Sequence, residues 1–223
     1  DIAGATITII QGPDKLLGNQ LAVARGGAPV GTLGNVKLDK LAIEAEQSLQ
    51  NPVRMQLTDD IEVFVDTVRP CPRLVMVGGV HIAIALAHMA KLLGYRTLVV
   101  DPRRAFGSDE RFPHVDQLIS KWPEKAFNEI TLTRETAVAL LTHDPKIDDP
   151  ALKVVLNQPV FYVGALGSSK THAKRVSRLK EMGFSDETIN KIHGPIGINI
   201  GASTPEEIAV SVLAEIVKAR ASK

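Results

Sequence analysis

The sequence predicts an α/β protein: a Rossmann-like parallel-sheet domain preceded by a small α+β domain. Three observations carry that prediction. From residue 74 onward, short apolar runs alternate with segments of helical period, the mark of βαβ units and a parallel sheet. Two of those runs lead into glycine loops that open helices, at Gly78-Gly79 and at Gly164 to Ser168. Hydrophobic residues make up 44% of the chain but aromatic residues only 4%, so the core rests on Val, Ile, Leu and Ala. That composition suits strands covered on both faces.

Residues 1–68 form the first domain. Ala5 to Gly12 alternates and is β-branched, a strand. Asn19 to Arg25 and Pro29 to Leu33 flank Gly26-Gly27 and read as a hairpin. Val36 to Leu49 places Leu38, Leu41, Ala42, Ala45 and Leu49 on one helical face. Arg54 to Thr58 and Ile61 to Val68 are strands around Asp59-Asp60. The two prolines among residues 69–73 make that stretch a linker, with 74–223 as the second domain.

In the second domain, Leu74 to Val77, Thr97 to Val100, Ala137 to Leu141 and Val160 to Val163 read as buried strands. Val80 to Leu93 reads as a helix closed by Gly94, and Asp149-Pro150 opens another through Leu156. Further helices are expected over Lys170 to Met182 and Asp186 to Ile192. Thr204, Pro205 and Glu207 form a capping box that opens the last helix. Its apolar face is Ile208, Val210, Val212, Leu213 and Ile216. Gly194 to Ala202 reads as a buried loop pressed against the sheet.

Net charge and residue counts narrow the function. A formal charge of +1 argues against a general nucleic-acid binder. Cys71 is the one cysteine, which rules out an intrachain disulfide and a cysteine-based metal cluster within the chain. No apolar run approaches the ~18 residues of a membrane span, and a cytoplasmic protein is expected. The six histidines show no H-E-x-x-H spacing, and no G-x-S-x-G elbow occurs, so neither a metal site nor a nucleophile is predicted.

The chemistry is expected where strands end. Gly78-Gly79-Val80-His81 follows a strand and opens a helix, whose amides and dipole attract phosphate. Asp101 closes the next strand, placed as the ribose-binding acid of dinucleotide sites. Val80 departs from that fingerprint, which would have glycine there. Gly164, Gly167 and Ser168, with Lys170 following, make a second anion cradle; a capped loop that binds nothing is the competing reading. Thr142-His143-Asp144 ends a third strand, with Asp144 as a helix cap and His143 at the surface as the plainer alternative to general-base chemistry. Lys170, Lys174 and Arg178 share a helix face, either solvated or screening an anionic ligand.

Taken together, Gly78-Gly79-Val80-His81-Ile82-Ala83, Asp101-Pro102-Arg103, Glu110-Arg111-Phe112-Pro113, Thr142-His143-Asp144 and Tyr162 to Ser168 resemble the XdhC/CoxI family of xanthine dehydrogenase accessory proteins. Thr171 to Arg175, Gly194 to Gly197 and Gly201 to Ala209 extend the resemblance in family order. The resemblance implies a chaperone, in a family not known chiefly for catalysis, that binds molybdenum cofactor and protects it while its sulfido ligand is installed. It further implies insertion into a xanthine dehydrogenase-like molybdenum hydroxylase, a cysteine desulfurase as a second partner, and a homodimer. The expected cofactor-binding residues are Gly78, Gly79, His81, Asp101, Thr142, His143, Asp144, Gly164, Gly167 and Ser168. Three positions depart from the family pattern: Gly34-Asn35-Val36-Lys37 lacks the family's cysteine, Val80 replaces glycine, and Asn199 replaces aspartate. Two alternatives stand beside the chaperone: an oxidoreductase using NAD(P) or FAD, and a non-catalytic nucleotide-sensing module.

Overall fold

The computed structural model describes residues 3–24, 27–46, 52–68 and 70–222. The chain divides into two compact units, residues 1–70 and 71–223.

The first unit is an antiparallel sheet with one helix. Its elements are β1 (Gly4–Gln11), β2 (Gln20–Ala24), β3 (Val30–Gly31), α1 (Val36–Glu46), β4 (Val53–Thr58) and β5 (Ile61–Val68), in sheet order β3-β2-β1-β5-β4. Period-two alternation buries Ala5, Ile7 and Ile9 of β1 with Val63 and Val65 of β5 against Leu38 and Ala42 of α1. Asn35 starts the helix by accepting from the amides of Lys37 and Leu38, both at 3.0 Å. The strands flanking the expected hairpin pair antiparallel, Leu21 opposite Gly31. Arg25 at the end of the first of these expected strands, Gly26 of the turn, and residues 47–49 of the expected helix lie outside the described residues.

The second unit comprises β6 (Arg73–Val77), α2 (His81–Leu92), β7 (Arg96–Val100), β8 (Gln117–Ile119), α3 (Pro123–Ala126), β9 (Thr136–Leu140) and α4 (Pro145–Val155). After these come β10 (Tyr162–Ala165), α5 (Ser169–Glu181), α6 (Asp186–Ile189), β11 (Ile192–His193) and α7 (Pro205–Ala221). Every pairing is parallel and the order is β11-β10-β9-β6-β7-β8. Two three-strand halves therefore wind outward from the β6–β9 junction, the doubly wound pattern. Helices cover both faces, so the strands bury nearly every side chain. Leu74 and Met76 pack with Ala83, Leu86, Val212 and Ile216 of α2 and α7. Val75, Val77, Val138 and Leu140 pack with Ile147, Leu152 and Leu179 of α4 and α5.

Several boundaries differ from the sequence expectation. Helix α4 starts at Pro145, not at the Asp149-Pro150 pair, because Asp144 caps it by accepting from the amide of Lys146. Pro150 lies inside that helix. The expected helix to Ile192 ends at Ile189, and Ile192–His193 becomes β11 by pairing with Val163 and Gly164. Val210 is 47% exposed, so it stands outside the buried face of α7. The Gly194 to Ala202 loop buries only Ile196 (8%) among its apolar side chains; Ile198 and Ile200 are exposed because the chain leaves the sheet to reach α7.

Candidate functional site at the carboxyl ends of the sheet

Because β6, β7, β9 and β10 are parallel and adjacent, the loops that follow them emerge at one end of the sheet, around the switch between β6 and β9. The loop after β6 is Gly78-Gly79-Val80. Gly78 adopts φ 113°, a backbone that side chains avoid, and a Cβ there would lie 2.5 Å from the methyl of Thr142. At Gly79 a Cβ would strike the Phe106 carbonyl and the Phe112 ring. These glycines are thus needed for close packing between loops. Val80 precedes α2 without any side-chain cap, which leaves the first amides of α2 for an outside acceptor. His81 is exposed at the first helical position.

Asp101 is fully buried and turned inward. Its oxygens accept from the Gly79 amide (2.8 Å), the Arg103 amide (2.9 Å) and the Arg103 guanidinium (2.9 and 2.7 Å). Burial raises its pKa, but the Arg103 and Gly79 hydrogen bonds outweigh it and hold the carboxyl below the ordinary range. With four bonds accepted, Asp101 has little capacity left for a ribose hydroxyl; it ties the β7 end to the β6 loop. The segment after it lies over the same loop. Arg103 stacks 4.1 Å from the Phe106 ring, and Arg111 donates to the Gly79 carbonyl at 3.1 Å.

After β9, Thr142 is buried and donates its hydroxyl to Asp148 at 2.5 Å. His143 is exposed and sits at φ 50°, the only non-glycine at positive φ among the described residues. Asp144 serves α4 as its cap. Asp148 is 1% exposed, and burial pushes its pKa up against the Thr142 hydroxyl and the Arg175 charge.

After β10, the three predicted residues separate. Gly164 lies within the strand, where a Cβ would strike the Tyr162 hydroxyl and Ile196, so it is a packing glycine. Gly167 (φ 138°) and Ser168 form the loop proper, and Ser168 caps α5 by accepting from the Thr171 amide at 3.2 Å. Of the basic face, Arg178 pairs with Asp149 at 2.6 Å. Cys71 sits before β6, at the amino end of the strand, with its thiol donating to the Gly94 carbonyl at 3.1 Å. It is therefore at the far end of the sheet from the crevice.

The sequence reading passed over two groups. Asp148 and Arg175 sit on helices whose period suggested only packing and solvation. Glu215 accepts from the Tyr162 hydroxyl (2.5 Å) and the Gly197 amide (2.9 Å) and faces His193 at 3.2 Å, which ties the 194–197 loop to β10. No local spacing announces either group, since their members are 27 and 53 residues apart.

A doubly wound sheet of this order, with glycine loops and a helix amino end at its switch, defines a Rossmann-type binding domain. The chain belongs to the XdhC Rossmann domain family, which matches residues 74–216. It is 33% identical over 158 residues to a protein of Bacillus subtilis named as a probable subunit of xanthine dehydrogenase, covering 71% of this chain and 46% of that protein. It is 34% identical over 152 residues to the molybdenum cofactor insertion chaperone PaoD of Escherichia coli, covering 68% and 41%. To YqeB of Escherichia coli it is 31% identical over 219 residues, covering 90% and 40%. The chain thus spans less than half the length of these curated relatives. A crystal structure of a xanthine dehydrogenase from Bacillus halodurans superposes with TM-score 0.60 at 19% identity, covering 100% of this chain and 93% of that one, a likeness of fold.

Proposed function

We propose that this chain is an accessory protein that holds molybdenum cofactor at the carboxyl end of its parallel sheet and assists its transfer to a molybdenum hydroxylase. The observation that carries this reading is the family membership, joined to relatives named for xanthine dehydrogenase and as a molybdenum cofactor insertion chaperone. The site fits the cofactor's phosphate. The uncapped amides of α2 and the amino end of α5 are suited to an anion, and Ser168 and Lys170 flank the second of these. When bound, the cofactor supplies the redox-active molybdenum of the partner enzyme. His81, His143, Gly167 and Ser168 would hold and shield it, while Gly78, Gly79, Asp101, Thr142, Asp144 and Gly164 fix the loops that carry them. The position of Cys71 gives a sulfur relay through this thiol no support.

The nucleotide readings are weaker. The acid expected to bind ribose is occupied by Arg103 and Gly79, and the space over Gly79 is filled by Phe106 and Phe112. The test is calorimetric titration of the full chain with molybdenum cofactor, then with NAD, NADP and FAD. Micromolar cofactor binding that a Gly167→Asp change weakens at least tenfold, about 1.4 kcal/mol, supports the reading. Binding of a nicotinamide or flavin nucleotide alone refutes it. Light scattering of the same sample tests the proposed homodimer.

A further inference from the structure

Arg175 is 1% exposed, deeper than any other cation among the described residues. It lies seven residues past the Ser168 cap, two turns along the same face of α5. Helical side chains lean toward the amino end, and this one does: its Nη2 donates to the carbonyl of Leu166, ahead of the helix, at 2.9 Å. Its remaining partner is poor. Asp148 Oδ2 stands 3.4 Å away, while the other Asp148 oxygen takes the Thr142 hydroxyl at 2.5 Å. Nε and Nη1 are buried with no partner. Buried guanidinium donors are costly to leave unmade, so two on one side chain call for an acceptor.

The guanidinium therefore stands at the amino end of α5, beside the Gly167-Ser168 turn, where helix amides already favour negative charge. His172, one turn before Arg175, is buried enough to be pushed down in pKa by burial and then by that charge, so it adds no positive charge of its own. We propose that Arg175 is the anion-selecting residue of the crevice, completing its Nε and Nη1 bonds with a phosphate-type oxygen seated at the amino end of α5. This deepens the cofactor reading by naming the group on the ligand that the β10 loop recognises. Asp148 then acts as a competing internal anion that holds the guanidinium in place when the ligand is absent.

Changes at Arg175 and at Asp148 are expected to act in opposite directions. Inorganic phosphate and pyrophosphate are titrated calorimetrically into the full chain, with circular dichroism confirming the fold of each variant. Arg175→Gln is expected to weaken phosphate-type binding about tenfold or more, the value of a charged hydrogen bond. Asp148→Asn, which keeps an oxygen for Thr142 but removes the competing charge, is expected to tighten it about threefold. Arg175→Lys, a point charge without the fork, is expected to lie between wild type and Arg175→Gln and serves if the glutamine variant does not fold. If Asp148→Asn weakens binding as the arginine variants do, the pair is a structural latch and the proposal fails. Unchanged binding by Arg175→Gln, or no phosphate or pyrophosphate binding by the wild type, also overturns it. Cofactor binding without phosphate binding would defeat this inference alone; Arg175-dependent phosphate binding without cofactor binding would defeat the chaperone reading alone.

Discussion

Two buried aspartates hold the crevice loops, and their titrations run in opposite directions. Asp101 has its pKa lowered in the folded state, because the Arg103 and Gly79 bonds outweigh burial. Its contribution is present above the unfolded carboxyl pKa, about 4, and is lost as pH falls through the lower folded value. Asp148 has its pKa raised by burial, so the native state binds its proton more tightly. Its contribution is greatest below about pH 4 and is lost as pH rises through the raised folded value. We predict that Asp101→Asn costs about 2 kcal/mol in urea unfolding at pH 7, since it removes the buried charge that accepts from Gly79 and Arg103, and flattens the acid limb of the stability–pH curve. A curve with the wild-type acid limb would show that Asp101 is not the group responsible. The glycines make a second contrast at this scale. Gly94 has open space at its Cβ but φ 76°, so Gly94→Ala should cost about 1–2 kcal/mol from backbone alone. Gly79→Ala must also push back the Phe106 carbonyl and is expected to cost more, with thermal melting ranking the two.

At the scale of elements, α4 shows both what a sequence discloses and what it hides. Asp144-Pro145 and Asp149-Pro150 are each an acid followed by proline, and both suit a helix start. The structure uses the first, where Lys146 supplies the capped amide, and tolerates Pro150 in the second turn. Asp144→Ala is expected to cost about 1 kcal/mol, a melting shift of roughly 2–4 °C. Pro150→Ala should stabilise by about 1 kcal/mol by restoring an amide donor, less than the full interior-proline penalty because the unfolded chain gains freedom. A loss of stability would mean that proline's rigidity dominates there. The apolar strand runs, the Gly94 end of α2 and the Thr204–Glu207 capping box were legible because each carries its signal within a few residues. Strands β8 and β11 and helix α3 were not, having three, two and four residues, too short to show a period. The same limit governs the site. Its glycine loops were readable from local spacing, whereas the Asp148–Arg175 and Glu215–Tyr162 pairs exist only once the fold brings distant elements together.

For the whole molecule, the decisive fact is that each unit has its own core. The first buries Ile7, Leu21, Val63 and Leu38 among themselves, and the second encloses its parallel sheet between two helical layers. Residues 71–223 expressed alone are therefore predicted to fold with a single cooperative transition, read by circular dichroism on heating. A broad, non-cooperative melt would show that the first unit is required. All the residues proposed to touch the ligand lie in the second unit, so phosphate-type binding should survive in that fragment.

The left-handed backbone at His143 carries an evolutionary consequence. A side chain at φ 50° costs roughly 1–2 kcal/mol that glycine would not incur. A library screened only for heat resistance would be expected to discard this histidine in favour of glycine or asparagine. A library screened for cofactor delivery would be expected to retain it. The residue chosen at this one position would thus record which pressure, durability or trade with a partner, has shaped the loop.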